Sequence, residues 1–417
     1  MKNNLYREQK NFHFSILLFI CCYLSVFLGF YFNEDSSGSG GFIADFNNTW
    51  GYVLALQEKI FVLPSKWVLH TPLHFLIISK FNFFLESKLL LRIFYCLLCF
   101  LIPLIFYNCL KTKFTEVKKH SLLILSSSIF LLPSFRSGSI WANDHITALF
   151  FFILFILYFL KWEKDKNCFK YVVLQCIFLS LTVYTRQYYA IFFIFCLYKY
   201  FIYLQFRKFI LICFLISLLT IPGFILIYYD PILLSTTFDK NLSNTILVSS
   251  SILSFYLLPF CILYFFANKI YKKVDTKIIT IFFVIILFTL LLNNFFDYNY
   301  KTGGGFFIKL SYLILRNDLL FLFTSATGLT ILFFLFKEKK ENLLMIFLML
   351  FAFPAYMIFQ KYFEPMFIFV FFLLIKTKLT FNFFTNKNNF IFYYFYIFLY
   401  LISAIVNDRY NLTKSLL

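Results

Sequence analysis

The stretch KWVLHTPLHFLIISKFNFFLES, residues 66–87, decides the topology of this chain. It mixes large apolar residues with polar ones, so it could either cross a membrane or lie along its surface. If it crossed, the loop 111–120, which carries four lysines, would fall outside the cell, against the positive-inside rule. If it lies on the surface, all basic loops fall in the cytoplasm. We therefore predict that residues 66–87 form a non-spanning helix at the outer face.

The composition is that of a membrane protein. Of 417 residues, 61% are apolar and 14% are charged, with a mean hydropathy of +0.81. Soluble proteins carry about 25% charged residues, so this chain cannot cover a globular surface with polar groups. A crossing needs about 17–25 apolar residues, or fewer with local thinning. Thirteen stretches qualify: 12–32, 89–110, 121–133, 142–160, 171–184, 188–204, 209–229, 246–267, 278–292, 319–336, 343–359, 365–375 and 390–406.

These stretches predict an all-α polytopic membrane protein with about 13 transmembrane helices, folded as a single domain over residues 1–417. The net charge of +19 comes from short basic clusters between apolar runs, which are typical of cytoplasmic loops and not of nucleic-acid binding. The N-terminus is then cytoplasmic and the C-terminus exterior. No cleavage pattern follows the first segment, so we expect it to remain as an anchor. A bacterial cytoplasmic membrane is the expected location, with membrane lipids as surroundings.

The first exterior loop, residues 33–88, is the longest. It opens with a Ser/Gly stretch, residues 36–41, and continues as two amphipathic segments, 42–61 and 68–85. Amphipathic segments tend to lie in the membrane interface. We therefore expect two interfacial helices in this loop.

Two carboxylates stand out at the predicted outer edge. Asp45 begins the first interfacial segment, and Asp144 begins an apolar span after Trp141-Ala142-Asn143. Either could simply cap a helix. Together they could deprotonate a hydroxyl or hold a divalent cation, Mg or Mn, with Asp144 as the metal ligand.

Histidines and cations complete the set of candidate binding residues. His70 and His74 share a helix face, and a hydrogen-bonding role suits them better than a metal pair. Arg136 and Arg186 lie at span ends, where arginine either binds phosphate or reaches towards the interface. The further predicted substrate-binding residues are His145, Gln187, Lys301, Lys309, Lys361 and Glu364.

With these residues the chain resembles the GT-C integral-membrane glycosyltransferases, which use polyprenyl-phosphate sugars. The members similar to bacterial protein mannosyltransferases and to aminoarabinose transferase are nearest in pattern. The loop 33–88 with Asp45 matches their acidic first loop, and residues 134–149 look like their second acidic segment. The stretches 183–187 and 361–365 are similar to their Arg-containing and late basic-Tyr-x-x-Pro segments. The family often has paired acids in the first loop, whereas Asp45 stands alone.

The resemblance implies inverting sugar transfer from a polyprenyl phosphate to an acceptor hydroxyl of a lipid, glycan or protein, at the exterior face. Asp45 would be the base, although the adjacent pair Glu34 and Asp35 remains an alternative. Arg186 and one of Lys301, Lys309 or Lys361 would stabilise the leaving phosphate, and Asp144 would bind a divalent ion or orient the acceptor. The rival functions are a membrane glycan polymerase or ligase, and a lipid-linked sugar flippase or other transporter.

Overall fold

We describe the fold from a computed structural model, which covers residues 2–36, 41–59, 62–66, 68–235, 241–267, 276–299, 303–351, 353 and 357–416. Within these residues the chain is mostly helical and forms no β-strand. They divide into two compact units, one up to Ser235 and one from Asn241 onwards. The prediction of a single domain over the whole chain stays a prediction.

The first unit contains thirteen α-helices within its described residues, joined by 3₁₀ turns at Pro64–Lys66, Ser128–Leu131 and Gln187–Ile191. The helices are α1 (Lys2–Tyr31), α2 (Phe42–Glu58), α3 (Leu73–Ser79), α4 (Asn82–Glu86), α5 (Lys88–Leu98), α6 (Leu101–Lys113), α7 (Lys119–Ser127), α8 (Pro133–Ile140), α9 (Asp144–Lys164), α10 (Phe169–Thr185), α11 (Phe192–Tyr203), α12 (Phe206–Tyr229) and α13 (Ile232–Ser235).

The second unit is built in the same way and has a 3₁₀ turn at Gln360–Tyr362. Its helices are α14 (Leu242–Ala267), α15 (Thr276–Asn293), α16 (Gly305–Ile314), α17 (Leu319–Glu338), α18 (Asn342–Phe351), α19 (Met366–Leu373), α20 (Lys378–Phe383) and α21 (Lys387–Leu416).

Long apolar helices make this a multi-pass membrane protein. Among the described residues, eight helices are long and apolar enough to cross a membrane, or nine if one bent pair counts as a single span. The other four predicted crossings form shorter helices, namely α10, α11, α18 and α19. The finer count of about thirteen therefore stays a prediction.

Each unit has one helix that other helices surround. In α9, 67% of the apolar span is buried inside the protein, and in α14 the value is 72%. By contrast, only 11% of the span of α12 and 6% of that of α15 are buried. Helices that are apolar all round and exposed in this way suit contact with lipid. Polar side chains that must avoid lipid are therefore best placed on or beside α9 and α14.

Residues 66–87 form no single helix. They fold into the short helices α3 and α4, separated by Lys80 and Phe81. At 1.5 Å per residue, neither could cross a hydrocarbon core about 30 Å thick. The first amphipathic segment does form one helix, α2, whose buried residues include Phe42, Phe46 and Tyr52. Whether α2, α3 and α4 lie in the interface stays a prediction.

The predicted span 121–133 ends at a sharp bend. Residues Lys119–Leu131 and the helix α8 are inclined by 65° to one another. The bend falls before Pro133, which occupies the first turn of α8. Leu132 before it has an extended backbone, as residues preceding proline prefer. This pair is therefore either a broken span or a re-entrant loop, and it brings α8 next to α9.

Close packing of α14 against α17 generates a first prediction. A Cβ at Gly328 would collide with the backbone carbonyl of Ser250, which cannot move aside as a flexible side chain could. We expect Gly328→Ala to lower the free energy of unfolding by about 1–3 kcal/mol, measured by thermal unfolding of the purified protein in detergent. In the control Gly223→Ala the new Cβ meets only Tyr184 at 3.7 Å, an ordinary contact, so stability should be unchanged or slightly raised. A Gly328→Ala variant with the stability of the wild type would contradict this packing.

Candidate functional site

A buried ion pair joins two of the predicted site residues. The Nη2 atom of Arg186 lies 2.6 Å from Oδ1 of Asp144, and its Nε atom donates to Oδ2 at 3.1 Å. The two side chains are only 2% and 4% exposed. This two-point contact is the strongest geometry that a guanidinium and a carboxylate can form. The structure therefore brings together the ends of α9 and α10 that carry Asp144 and Arg186.

The backbone before α9 fixes the direction of Asp144. Asn143 caps the helix, since its side-chain oxygen accepts from the N–H of His145 at 3.0 Å. The same oxygen accepts from Nη2 of Arg186 at 3.1 Å. Ala142 has φ +46°, a left-handed conformation that costs a residue with a Cβ about 1–3 kcal/mol. The surrounding contacts therefore hold this turn in place.

His74 supplies one of those contacts. Its Nδ1 atom lies 2.9 Å from the hydroxyl of Thr147 and 3.1 Å from that of Tyr95, and the two hydroxyls are 2.8 Å apart. The ring also hydrogen-bonds to the backbone of Ala142. This cluster links α3, α5 and α9 just beside Asp144, so His74 acts as a positioning residue for the turn.

The burial of His74 determines its charge. The pKa of His74 is lowered from 6.5 to about 4, chiefly by loss of solvent and to a smaller extent by Arg186, against the opposing effect of Asp144. The imidazole is therefore neutral at physiological pH. A neutral ring can accept a hydrogen bond at Nδ1 from Tyr95 or Thr147, which a charged ring could not.

The neighbouring loop is fastened to the end of α10. The hydroxyl of Thr71 donates to the carbonyl of Val183 at 2.7 Å, and Nε2 of Gln187 donates to the carbonyl of Leu69 at 2.8 Å. His70 lies between these contacts, and its charged form would interact with Asp144. The structure thus gathers His70, His74 and Gln187 beside the ion pair.

His145 and Tyr188 approach the ion pair from another direction. The Tyr188 hydroxyl lies 3.5 Å both from Nη1 of Arg186 and from Nδ1 of His145, the upper limit of hydrogen bonding. His145 is buried, at 1% exposure. Tyr188 therefore lies at the Nη1 edge of the guanidinium, which Asp144 does not hold, and His145 lies next to Tyr188.

Arg136 belongs to a second buried ion pair, with Glu34. Its Nε and Nη2 atoms donate to the two carboxylate oxygens at 2.9 and 2.7 Å. The remaining N–H groups reach the hydroxyl and carbonyl of Ser25 and the carbonyl of Phe130. All five donors of the guanidinium thus have acceptors inside the protein. This arrangement favours a structural role for Arg136, fastening α1 to α8, over the predicted phosphate contact.

The alternative bases in the first loop are already engaged. Both carboxylate oxygens of Asp35 accept backbone N–H groups at the start of α2, from Phe42 at 3.1 Å and Ile43 at 3.0 Å. Asp35 therefore satisfies the free N–H groups that a helix leaves at its first turn. Asp45 lies one turn further along, half-buried. The N-cap position of α2 is Gly41, four residues before Asp45.

The second unit holds the later candidates, of which Lys301 lies outside the described residues. Glu364 is fully buried and accepts from the hydroxyls of Tyr256 at 2.8 Å and Tyr400 at 3.0 Å. Lys361 is buried, with its ammonium 5.2 Å from the Phe359 ring, and Lys309 on α16 is half-buried. Their predicted contacts with phosphate stay predictions.

A glycine turn packs directly on the segment that precedes Lys361. Gly303, Gly304 and Gly305 have φ values of 73°, 76° and 83°, which glycine adopts without strain. The N–H of Gly304 donates to the carbonyl of Ile358 at 2.8 Å, and that of Phe306 donates to the side chain of Gln360 at 2.6 Å. This contact joins the turn to residues 358–360 within the second unit.

The structure also identifies site residues that the sequence did not single out. The hydroxyls of Tyr95 and Thr147 hydrogen-bond to His74, and that of Tyr188 accepts from Arg186. Asn143 holds Arg186 as well as capping α9. Only Asn143 carried a signal in the sequence, since asparagine before an apolar run is a common N-cap. The tyrosines could not be distinguished among 29 in the chain.

No group of three or more metal-ligating His, Cys, Asp or Glu side chains occurs in the part of the chain that the structure describes. Both oxygens of Asp144 face Arg186, and a cation there would have to share that carboxylate. The divalent cation at Asp144 stays a prediction. Comparisons with protein-family models, with curated proteins and with solved structures find no match to this chain.

The pKa of His74 predicts a pH-dependent stability. Above pH 6.5 the ring is neutral in both the folded and the unfolded state, so it adds no pH dependence. Between pH 6.5 and about 4 only the unfolded state takes up the proton, and stability falls as the pH falls. Below that range the loss is constant at about 3 kcal/mol. His74→Gln should therefore show a smaller fall in unfolding temperature between pH 7 and pH 4.5 than the wild type.

The control for this experiment is His13→Gln, which changes an exposed histidine on α1. It should keep the wild-type pH dependence. If His74→Gln shows the same fall in unfolding temperature as the wild type, another group causes that fall.

The Asp144–Arg186 pair predicts a non-additive double-mutant cycle. Asp144→Asn or Arg186→Gln alone leaves a buried unpaired charge and should cost about 3–5 kcal/mol of folding free energy. The double variant should lose much less than the sum, because no charge is left alone. Thermal unfolding in detergent measures all three variants. The exposed pair Lys376–Glu341, changed to Gln in the same way, should show a coupling of at most about 1 kcal/mol. If the losses of folding free energy at Asp144 and Arg186 were additive, this would contradict a direct interaction between the two side chains.

Proposed function

We propose that this chain is a membrane-embedded glycosyltransferase that moves a sugar from a polyprenyl phosphate to an acceptor hydroxyl. The observation that carries the proposal is the buried Asp144–Arg186 pair, flanked by histidines of the loop between α1 and α5. Ionisable groups inside a multi-pass membrane protein are costly to bury and usually serve its function. A donor that is itself a lipid can reach such a site from the bilayer.

Arg186 is the residue we assign to the leaving phosphate. Asp144 and Asn143 hold its Nε and Nη2 atoms, so the guanidinium is oriented before any ligand binds. The edge directed at Tyr188 and His145 is the one we assign to phosphate. Preorganised donors stabilise developing negative charge without reorganisation during the reaction. Asp144 is then a positioning residue that holds Arg186. This proposal assigns it that role and not the predicted roles of orienting the acceptor or binding a metal ion.

Asp45 is the residue we assign to the acceptor hydroxyl. Its carboxylate would take the hydroxyl proton while the hydroxyl oxygen forms its bond to the anomeric carbon. The bond from that carbon to the phosphate oxygen breaks, and the electron pair leaves with the polyprenyl phosphate. Attack opposite the leaving group inverts the anomeric carbon. Support for Asp45 comes from the engagement of Glu34 by Arg136 and of Asp35 by α2.

The finer topology belongs to this proposal. About thirteen crossings, a cytoplasmic N-terminus and an exterior C-terminus would place the loop 33–88 at the outer face of a bacterial cytoplasmic membrane. The helices α2, α3 and α4 would then lie in the interface, where donor and acceptor meet.

A carrier of lipid-linked sugars is the second candidate function. The bend of 65° between Lys119–Leu131 and α8 favours it, because transporters often build their binding sites from broken helices. Within the described residues, however, Arg136 near this bend is engaged by Glu34, Ser25 and Phe130. Glycosyl transfer therefore remains the better supported function.

Sugar transfer is tested with a panel of radiolabelled polyprenyl-phosphate sugars in membranes that contain the overexpressed chain. Asp45→Asn should lower transfer by about 10²–10⁴-fold, because the amide cannot accept the proton. The matched control Asp165→Asn changes an exposed aspartate and should retain wild-type transfer. Detergent extraction and unfolding temperature should be the same for all three proteins.

Two outcomes would contradict this function. A fully active Asp45→Asn variant would exclude Asp45 as the base. Wild-type protein that consumes none of the donors but moves a lipid-linked sugar between the leaflets of proteoliposomes would establish the carrier instead.

A further inference from the structure

Two cations lie one turn apart at the start of α5, outside the site described above. The ammonium of Lys88 is 5.1 Å from the Trp50 ring centre and 5.8 Å from that of Phe46. The guanidinium carbon of Arg92 is 3.7 Å from the ring centre of Trp141. Residues four apart share a helix face, so both cations belong to one surface, which we call the α5 cation surface.

Much of the hydrogen-bonding capacity of these cations is left over. Arg92 donates through Nε to the carbonyl of Ile140 at 3.0 Å and through Nη2 to the side chain of Asn33 at 2.9 Å. A guanidinium has five donors, so three remain. The Lys88 ammonium contacts aromatic rings but makes no hydrogen bond or ion pair with any described residue. The rings hold both groups in place while leaving donors available to an anion.

The surroundings of the α5 cation surface are apolar and exposed. Leu89 is 53% exposed, and Phe81 and Phe83 before it are 56% and 55% exposed. The surface also lies at one end of the candidate span Lys88–Lys113. Cations with aromatic neighbours at the end of a span lie at the level of the lipid headgroups. Exposed apolar side chains beside them suit contact with acyl chains.

We propose that the α5 cation surface binds the headgroup phosphate of an anionic phospholipid, such as phosphatidylglycerol. With the exposed Glu86 included, Lys88 and Arg92 give the surface a net charge of +1, which complements a headgroup of charge −1. A phospholipid can reach the exposed Lys88 without leaving the bilayer. This inference does not depend on the proposed sugar transfer.

The test measures lipid binding to the purified full-length chain by native mass spectrometry, with phosphatidylglycerol and phosphatidylcholine of the same acyl chains. Lys88→Met should weaken phosphatidylglycerol binding about fivefold and leave phosphatidylcholine binding unchanged, since one cation near an anionic lipid contributes about that factor. Lys88→Arg should restore it. The control Lys80→Met removes an exposed lysine of the same loop, whose ammonium donates to the carbonyl of Leu56, and should keep wild-type binding.

Photo-crosslinking of the wild-type chain avoids any effect of substitution on folding. A phosphatidylglycerol with a photoreactive headgroup should label peptides that contain Lys88 and Arg92 or the facing residues of α2. Labelling confined to other peptides, or an unchanged lipid preference in Lys88→Met, would overturn the proposal. So would displacement of the label by equimolar polyprenyl phosphate, or by glycerol phosphate, because the surface would then belong to a donor lipid or to a soluble phosphate.

Discussion

The Asp144–Arg186 ion pair is the interaction on which the first unit depends. Removing both charges from water costs several kcal/mol for each ion, and the pair recovers this only when the geometry is good and further hydrogen bonds are present. The chain supplies both, through two contacts between the charged groups and a third from Asn143. This requirement explains why the ends of α9 and α10 meet at one point and why polar residues gather there.

The turn before α9 connects this pair to the second buried pair. The indole N–H of Trp141 donates to the backbone carbonyl of Glu34 at 2.9 Å, and the Glu34 side chain holds Arg136. Two residues further on, Asn143 holds Arg186. The left-handed Ala142 lies between them, so its strained backbone is fixed from both sides. The three consecutive residues Trp141, Ala142 and Asn143 thus connect the two ion pairs.

Sequence patterns could predict the helical membrane character and part of the site. Within the part of the chain that the structure describes, each of the thirteen predicted stretches contains an α-helix, and charged residues beside such runs indicated Asp144 and Arg186 as candidates. The pairing of Glu34 with Arg136 could not be predicted, because it depends on how α1 packs against α8. Gly29 permits that approach, since a Cβ there would collide with Glu34. The burial of His74 also depends on packing. Its spacing from His70 places both on one helix face and favours a hydrogen-bonded, substrate-facing or structural role, without deciding between them.

Contacts between distant elements therefore distinguish acids that the sequence leaves equivalent. A general base needs an oxygen that can approach the proton it removes. In Glu34, Asp35 and Asp144 both carboxylate oxygens already accept hydrogen bonds that fasten a helix or an arginine. Taking up a proton there would break the contact that holds the element. Asp45 lies half-buried in the first turn of α2, whose first N–H groups donate to Asp35. The contacts of the fold thus assign Glu34, Asp35 and Asp144 to holding structure, a difference that the sequence alone does not show.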